Sequence, residues 1–381
     1  MLIFVAKISQ KLNFLGKKEY KLCIMSDMLA IGGAERCAAL LSTYFQKNNC
    51  LVHHVIVQDF VEYNFSGELL NLGKLKKDRE IDVVNRIKRF VVLYKFFRKN
   101  KFDFIIDFRV RSGQIQEFII AKFIYNAPLI VSIRSFMIDL YFPKNKFLAN
   151  NIYSNSKKIV TVSKGIENKI KKEYRYSQIA TIYNPIDFNL IEKLATEKLN
   201  FDFEFVLGVG RMADEVKQFD KLIEIYAASE LPTKKIKLVL LGEGIFREKY
   251  IEKAKKAGLQ EMIRFEGKDS NPFKYMQKAK MLFLTSKNEG FPNVVLESLA
   301  CGTPVIAFDC ESGPSEIIIP NQNGVLVENQ NFEAFKMAMN EMISNKELYL
   351  RCKQNAKSSV ERFSLEHIGN QWLQLFNELK K

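Results

Sequence analysis

Residues 280–307, KMLFLTSKNEGFPNVVLESLACGTPVIA, alternate between apolar runs of strand length and a segment long enough for a helix. The first run is KMLFLTS (280–286) and the second continues as PVIAFD (304–309). Strand, turn, helix and strand in that order make the unit of a parallel sheet. In the turn, Glu289-Gly290-Phe291-Pro292-Asn293 stand where a helix begins and its first N–H groups lack partners. Such a helix mouth favours an anion; Gly290 permits close backbone approach, and Asn293 is expected to cap the helix.

The alternation extends in both directions. On the N-terminal side, strands are predicted at KLCIMSD (21–27), LVHHVIV (51–57), FDFIIDF (102–108), PLIVSI (128–133), KIVTVS (158–163) and IATIYN (179–184), with a helix from Ala34 to about Lys47 after the first. A turn at Asn184-Pro185 and Asp187 leads to a second series, FEFVLGVG (203–210), KIKLVLLG (235–242), MIRFEG (262–267), the two runs above, and GVLVEN (324–329). Helical stretches near 331–344, 346–362 and 364–380 finish the chain. The expected fold is α/β: two Rossmann-like, doubly wound parallel-sheet domains, 1–190 and 191–363, facing across a cleft, with the helix at 364–381 returning to the first.

A chain of 381 residues, 47% apolar and 27% charged, buries two ordinary cores. Cys23, Cys37, Cys50, Cys301, Cys310 and Cys352 lack CxxC spacing, and with His53, His54 and His367 they form no metal-ligand pattern. Reduced thiols, no recognisable cleavable signal and no apolar run near 20 residues point to the cytoplasm; the opening MLIFVAKIS is too short to span a bilayer. The net charge of +15 is uneven, because residues 1–200 hold 33 Lys+Arg against 18 Asp+Glu and the remainder is balanced. One domain is therefore expected to face something anionic. Residues 74–101 carry eleven basic side chains against Asp78, Glu80 and Asp82, and Val83, Val84, Ile87, Phe90, Val91, Tyr94 and Phe97 recur at helical spacing. An apolar face of that kind ordinarily packs on a sheet, while Arg86, Arg89, Lys95, Arg98 and Lys99 suit an anionic membrane surface. Nucleic acid is not expected, since no recognition helix, zinc spacing or aromatic RNP-like strand accompanies the charge.

Glu297 lies about one turn into the helix that begins near Asn293. Its carboxylate can accept hydrogen bonds from the vicinal hydroxyls of a ribose, and Glu289 from those of a hexose. Two glutamates eight apart are weak evidence by spacing alone. Arg211 after FVLGVG and Lys217 beyond it place two basic side chains in the turn after that strand. Gly208, Gly210 and Ala213 also fit the dinucleotide pattern G-x-G-x-x-G/A, although Asp214, Glu215 and Lys217 make that turn longer than a tight dinucleotide loop. Gly242-Glu243-Gly244 follows the next strand, and Glu266-Gly267 ends another. The first of these has a purely structural reading as a tight turn between strand and helix. In Glu311-Ser312-Gly313-Pro314-Ser315-Glu316 two readings stand side by side, Ser315 as an N-cap with Glu316 in the first turn, or contact with a bound ligand.

With Gly290 and Pro292, the segment 289–297 resembles the family-4 retaining glycosyltransferases, of GT-B fold and bacterial polysaccharide or lipid-linked glycan type, whose E-x7-E motif it matches. The resemblance covers most of residues 22–362. It implies that Glu289 holds the donor hexose and Glu297 the ribose, with the backbone of Gly290, Phe291, Asn293 and Val294 assisting. It assigns Arg211 and Lys217 to the G-R-x5-K pair on the leaving diphosphate, and Gly210, Gly242, Glu243 and Gly267 to the donor pocket. A nucleoside diphosphate sugar, in particular a UDP-sugar, is the expected donor, with no metal or other cofactor, and a glycan or polyprenyl-linked sugar the acceptor. The place of action is expected to be the inner face of the cytoplasmic membrane, with the protein held peripherally.

In the first domain, Gly32-Gly33-Ala34-Glu35-Arg36 forms a second helix mouth, where Gly32, Gly33 and Arg36 are expected to face a ligand and Glu35 to favour the helix dipole. The family often carries histidine after the strand that LIVSI represents; here Arg134 stands instead, which puts a histidine acid or base in doubt and makes Arg134 a phosphate or acceptor ligand. A nucleotide-sugar epimerase of the same architecture, or a non-enzymatic α/β nucleotide-binding protein, are the alternatives.

Overall fold

The computed structural model describes residues 20–76, 82–111, 113–154 and 156–380. MLIFVAKIS and the charges at Lys77, Asp78, Arg79 and Glu80 lie outside them. Two parallel sheets account for every expected strand. The first holds β1 (Lys21–Ser26), β2 (Leu51–Ile56), β3 (Glu68–Asn71), β4 (Phe104–Asp107), β5 (Leu129–Ile133), β6 (Lys158–Thr161) and β7 (Ile179–Thr181), in the order β3-β2-β1-β4-β5-β6-β7. The second holds β8 (Phe205–Val209), β9 (Lys237–Leu241), β10 (Ile263–Gly267), β11 (Leu282–Leu284), β12 (Val305–Asp309) and β13 (Gly324–Glu328), in the order β10-β9-β8-β11-β12-β13. Both sheets reverse their winding after the first strand, at β1/β4 and at β8/β11. The crevice beyond the carboxyl ends of such a pair is where ligands enter doubly wound sheets.

The central strands read clearly because helices cover both faces, leaving nearly continuous apolar runs such as Phe205-Val206-Leu207 and Leu238-Val239-Leu240, all almost fully buried. β3 escaped the sequence reading: ELLN is short, lies at the sheet edge, and exposes Glu68 and Leu69.

The helix Leu365–Leu379 lies on the first sheet's side of the molecule, against the helix Gly33–Lys47. Trp372 is 1% exposed, and the Phe376 ring stacks on Phe104 at 5.1 Å. Tyr44 and Tyr20 donate hydrogen bonds to Asn370 (2.8 Å) and Asn377 (2.7 Å). The chain thus crosses between the halves twice, and the crossings pair: Ile186 N–H donates to Phe363 O (2.9 Å) and Leu365 N–H to Ile186 O (2.8 Å).

The helix Asp82–Lys99 corrects one expectation. Leu93 and Phe97 are its buried anchors, with Phe90, Val92 and Phe96 packed beside them. Val83, Val84, Ile87, Val91 and Tyr94 are instead exposed. The apolar positions span more than one helical face, and the sheet takes the side that ends in Leu93 and Phe97. No helix among the described residues is long and apolar enough to cross a membrane.

Candidate active site

The loops after β8 and β11 meet at the second sheet's reversal point, and they bring two sequence-predicted residues together. Lys217 Nζ lies 2.5 Å from a carboxylate oxygen of Glu289. The stem of Lys217 runs over Gly210, where a Cβ would stand 3.1 Å from it. Arg211 leaves the same loop toward solvent, its side chain 66% exposed and 3.7 Å from Asp214. Gly242 and Gly244 have φ of +147° and +153° and press on the backbone of Gly210 and Met212. They are needed to shape this loop, and Glu243 is exposed beside Gly267.

The helix that follows, Asn293–Ala300, starts after Pro292, with no side-chain cap and no acidic residue in its first turn. Asn293 is therefore not the N-cap expected. Its side chain is drawn away by the first domain, accepting from Asn184 Nδ2 at 2.6 Å and donating to Gly33 O at 3.4 Å. Phe291 is a core residue, packed against Tyr183 at 5.0 Å and Phe363 at 5.4 Å, so only its backbone can serve a ligand. Val294 is half-buried on the helix's first turn. Gly290 allows a close approach by protein: a Cβ there would stand 2.2 Å from Arg134 O.

Glu297, 7% exposed in its side chain, is paired at 2.5 Å with Arg36 from the first domain. Tyr63 and Phe273 flank that guanidinium at 5.2 and 5.6 Å. Attraction to Glu297 raises the Arg36 pKa further above its ordinary value. The pair borders a cavity of about 200 Å³ that also touches Ile186, Leu190 and Ser270. Arg134 is tied inward rather than aimed at open cleft. It donates to Asn184 and to Ser132 Oγ (3.3 Å), lies over Phe108 at 4.9 Å, and leaves its buried Nε without a partner.

The loop 311–316 contradicts its expected cap. Gly313 is the N-cap and Pro314 the first helical residue, while Ser315 is exposed. Glu316 reaches into the other half, accepting from Lys164 N–H (2.8 Å) and Gly165 N–H (3.2 Å) at the start of the helix Lys164–Tyr174. Ser312 adds a buried hydroxyl contact of 2.6 Å to Ser163 and donates to Gly290 O (2.8 Å). The contacts to Ser163, Lys164 and Gly165 stitch the two halves, and sequence separations above 145 residues hid them.

Sequence reading assigned Glu35 only a dipole role, yet it is a cleft carboxyl whose pKa is pushed up to about 7. Burial is the main cause and Asp27 adds to it, against its own N–H, Arg134 and Arg211. A signal was available: an acidic residue two positions after a pair of glycines at a helix mouth puts a carboxyl in the place a phosphate would take.

On the first-domain side, a second cavity of about 260 Å³ opens between the starts of the helices Asp82–Lys99 and Gln114–Ile119, lined in part by Gln58, Arg86, Arg89, Arg109 and Glu117. Arg109 is buried and holds Asp107 at 2.8 Å and Glu117 at 3.0 Å, fixing the cavity floor. His53 and His54 sit on β2, and no group of three His, Cys, Asp or Glu side chains suited to a metal occurs among the described residues.

Residues 192–359 match the family model described as "Glycosyl transferases group 1". The chain is 30% identical over 359 residues, covering 90% of itself and 95% of the relative, to the Campylobacter jejuni N-acetylgalactosamine-N,N'-diacetylbacillosaminyl-diphospho-undecaprenol 4-alpha-N-acetylgalactosaminyltransferase. It is 24% identical to the amylovoran biosynthesis glycosyltransferase AmsD of Erwinia amylovora, covering 94% of this chain and 100% of the relative. Among solved structures it is similar to Anabaena HepE in complex with UDP, with a TM-score of 0.73 at 19% identity, covering 94% of this chain and 100% of that one.

Proposed function

The chain belongs to the group 1 glycosyl transferases and is a GT-B enzyme, and from that premise we propose that it transfers a hexosyl-type sugar from a UDP-sugar to a hydroxyl of a lipid-linked glycan, retaining the anomeric configuration. The observation that carries the site assignment is the convergence of Lys217 and Glu289 at 2.5 Å beside Arg211, at the reversal point of the second sheet. Glu289 receives the sugar hydroxyls. Lys217 and Arg211 neutralise the diphosphate as the bond from its oxygen to the anomeric carbon breaks. The new bond forms on the same face, and the departing phosphate oxygen takes the acceptor's proton. Glu297 exchanges its contact with Arg36 for the ribose hydroxyls, with the nucleoside entering the adjoining cavity beside Ser270 and Phe273. Lysine and arginine provide the charge that a divalent ion would otherwise supply, so chelation by EDTA leaves turnover unchanged.

The undecaprenol-linked substrate in the Campylobacter relative's name supports a lipid-linked acceptor, and bacterial surface polysaccharide synthesis as the setting. Arg86 and Arg89 in the first-domain cavity suit its phosphate. Val83, Val84, Ile87 and Val91 turn outward between basic residues, which suits a peripheral position on an anionic bilayer at the inner face of the cytoplasmic membrane. The deciding experiment incubates the chain with UDP- and GDP-sugars and a polyprenyl-diphosphate-linked sugar, following nucleotide release. Turnover is expected with a UDP-sugar and lost in Glu297→Ala; release without an acceptor, with isomerised sugar, would instead favour an epimerase.

A further inference from the structure

Glu35 is a cleft carboxyl that the transfer chemistry above leaves unused. It stands on the first turn of the helix Gly33–Lys47 and folds back over the preceding loop, where a Cβ on Gly32 would lie 2.4 Å from its Oε2. Gly32, at φ +124°, thus leaves room for this carboxyl. Glu35 accepts from its own N–H and forms no ion pair among the described residues. One guanidinium from each half flanks it beyond ion-pair distance: Arg134 after β5 and Arg211 after β8. Asp27 at the end of β1 opposes their effect, and Cys37 and Tyr141 are its further titratable neighbours. Arg36, next in sequence, is committed to Glu297.

The loop that bears Glu35 touches the donor side directly, since a Cβ on Gly33 would stand 2.8 Å from Asn293 Nδ2. Under the transferase reading, on which this inference rests, the diphosphate settles at Arg211 and Lys217 and adds negative charge beside the carboxyl. An ionised carboxylate there would repel it; a neutral acid would donate to it. We propose that Glu35 takes up one proton from solvent when the donor binds, and as a neutral acid donates a hydrogen bond to a diphosphate oxygen. That bond strengthens as the leaving oxygen gathers charge. A protonated Glu35 cannot act as the base, which leaves that step to the departing phosphate.

The test is calorimetric titration with UDP-N-acetylgalactosamine, or GDP-mannose if only a guanine nucleotide binds, at pH 6, 7 and 8 in buffers of different ionisation enthalpy. A sugar nucleotide is used because the terminal phosphate of free UDP itself titrates near neutrality. With the free carboxyl at about 7, uptake should be small at pH 6, about half a proton at pH 7 and close to one at pH 8, and affinity should fall about fivefold between pH 7 and 8. In Glu35→Gln, uptake should vanish and affinity should no longer vary over this range; Glu35→Ala should also lose about tenfold in kcat. Binding without proton uptake at pH 8, or uptake that persists in Glu35→Gln, overturns the inference alone. Failure of both nucleotides to bind overturns the transferase reading, and this inference with it.

Discussion

The turns at 32–35 and 289–293 face each other at the reversal points of their sheets, and each opens a helix with no side-chain cap. They differ in what fills the mouth. The first already holds its own carboxylate, Glu35, whereas the second has no acidic residue in its first turn and is bordered by Lys217. Two mouths that look equivalent as patterns are therefore unequal as anion sites. Under the proposed function the donor's charge belongs at the second, while the first, with Glu35 taking up a proton as proposed, holds a group whose charge can be switched off.

The harshest way to break this contrast is to remove the cation from the second mouth. Lys217→Ala should lower kcat by about a thousandfold in a nucleotide-release assay, the loss typical of a charge-stabilising donor in a transition state. A drop below tenfold would move the leaving group elsewhere. Gly290→Ala tests whether the second mouth must close on the first half: the added methyl meets Arg134 O at 2.2 Å, so kcat/KM should fall about a hundredfold with the cleft forced apart. Arg36→Ala leaves Glu297 buried and unpaired until the ribose reaches it, and should lower the donor KM severalfold while destabilising the unliganded fold by about 3 kcal/mol in urea titration.

Glu35→Gln sharpens the contrast through stability. Because the folded carboxyl is raised to about 7 from its ordinary 4.5, the folded state retains the proton more strongly, and stability is lost as pH rises between those values. The glutamine variant should match the wild type near pH 4 and exceed it by about 1–3 kcal/mol at pH 8 in thermal unfolding. Smallest of all, Glu316→Ala uncaps the helix Lys164–Tyr174 across the halves and should cost about 1 kcal/mol.

Much of the frame was legible. Parallel strands buried on both faces leave runs such as KIKLVLLG that no exposed segment would show, while Glu289, Lys217 and Arg211 were singled out by the family resemblance rather than by their spacing. The partners of those residues were not legible. Gly290 answers to Arg134, Asn293 to Asn184 and Glu297 to Arg36, each fixed by the meeting of two sheets far apart in the sequence. The orientation of the helix Asp82–Lys99 was hidden for a different reason. Its apolar residues cover more than one face, and sequence spacing cannot choose which face the sheet takes.

The helix Leu365–Leu379 also imposes an order in time. Tyr20, Phe45 and Phe104 are among the earliest core residues to leave the ribosome, yet they are finished by Trp372 and Phe376. At about 5–20 residues per second, the intervening second half takes on the order of 10–35 s to synthesise. For that interval the first sheet waits with an apolar face uncovered, so a nascent chain stalled before residue 365 is a natural client for chaperones. The only tryptophan, Trp372, arrives with the last helix, and its fluorescence marks the moment the wait ends.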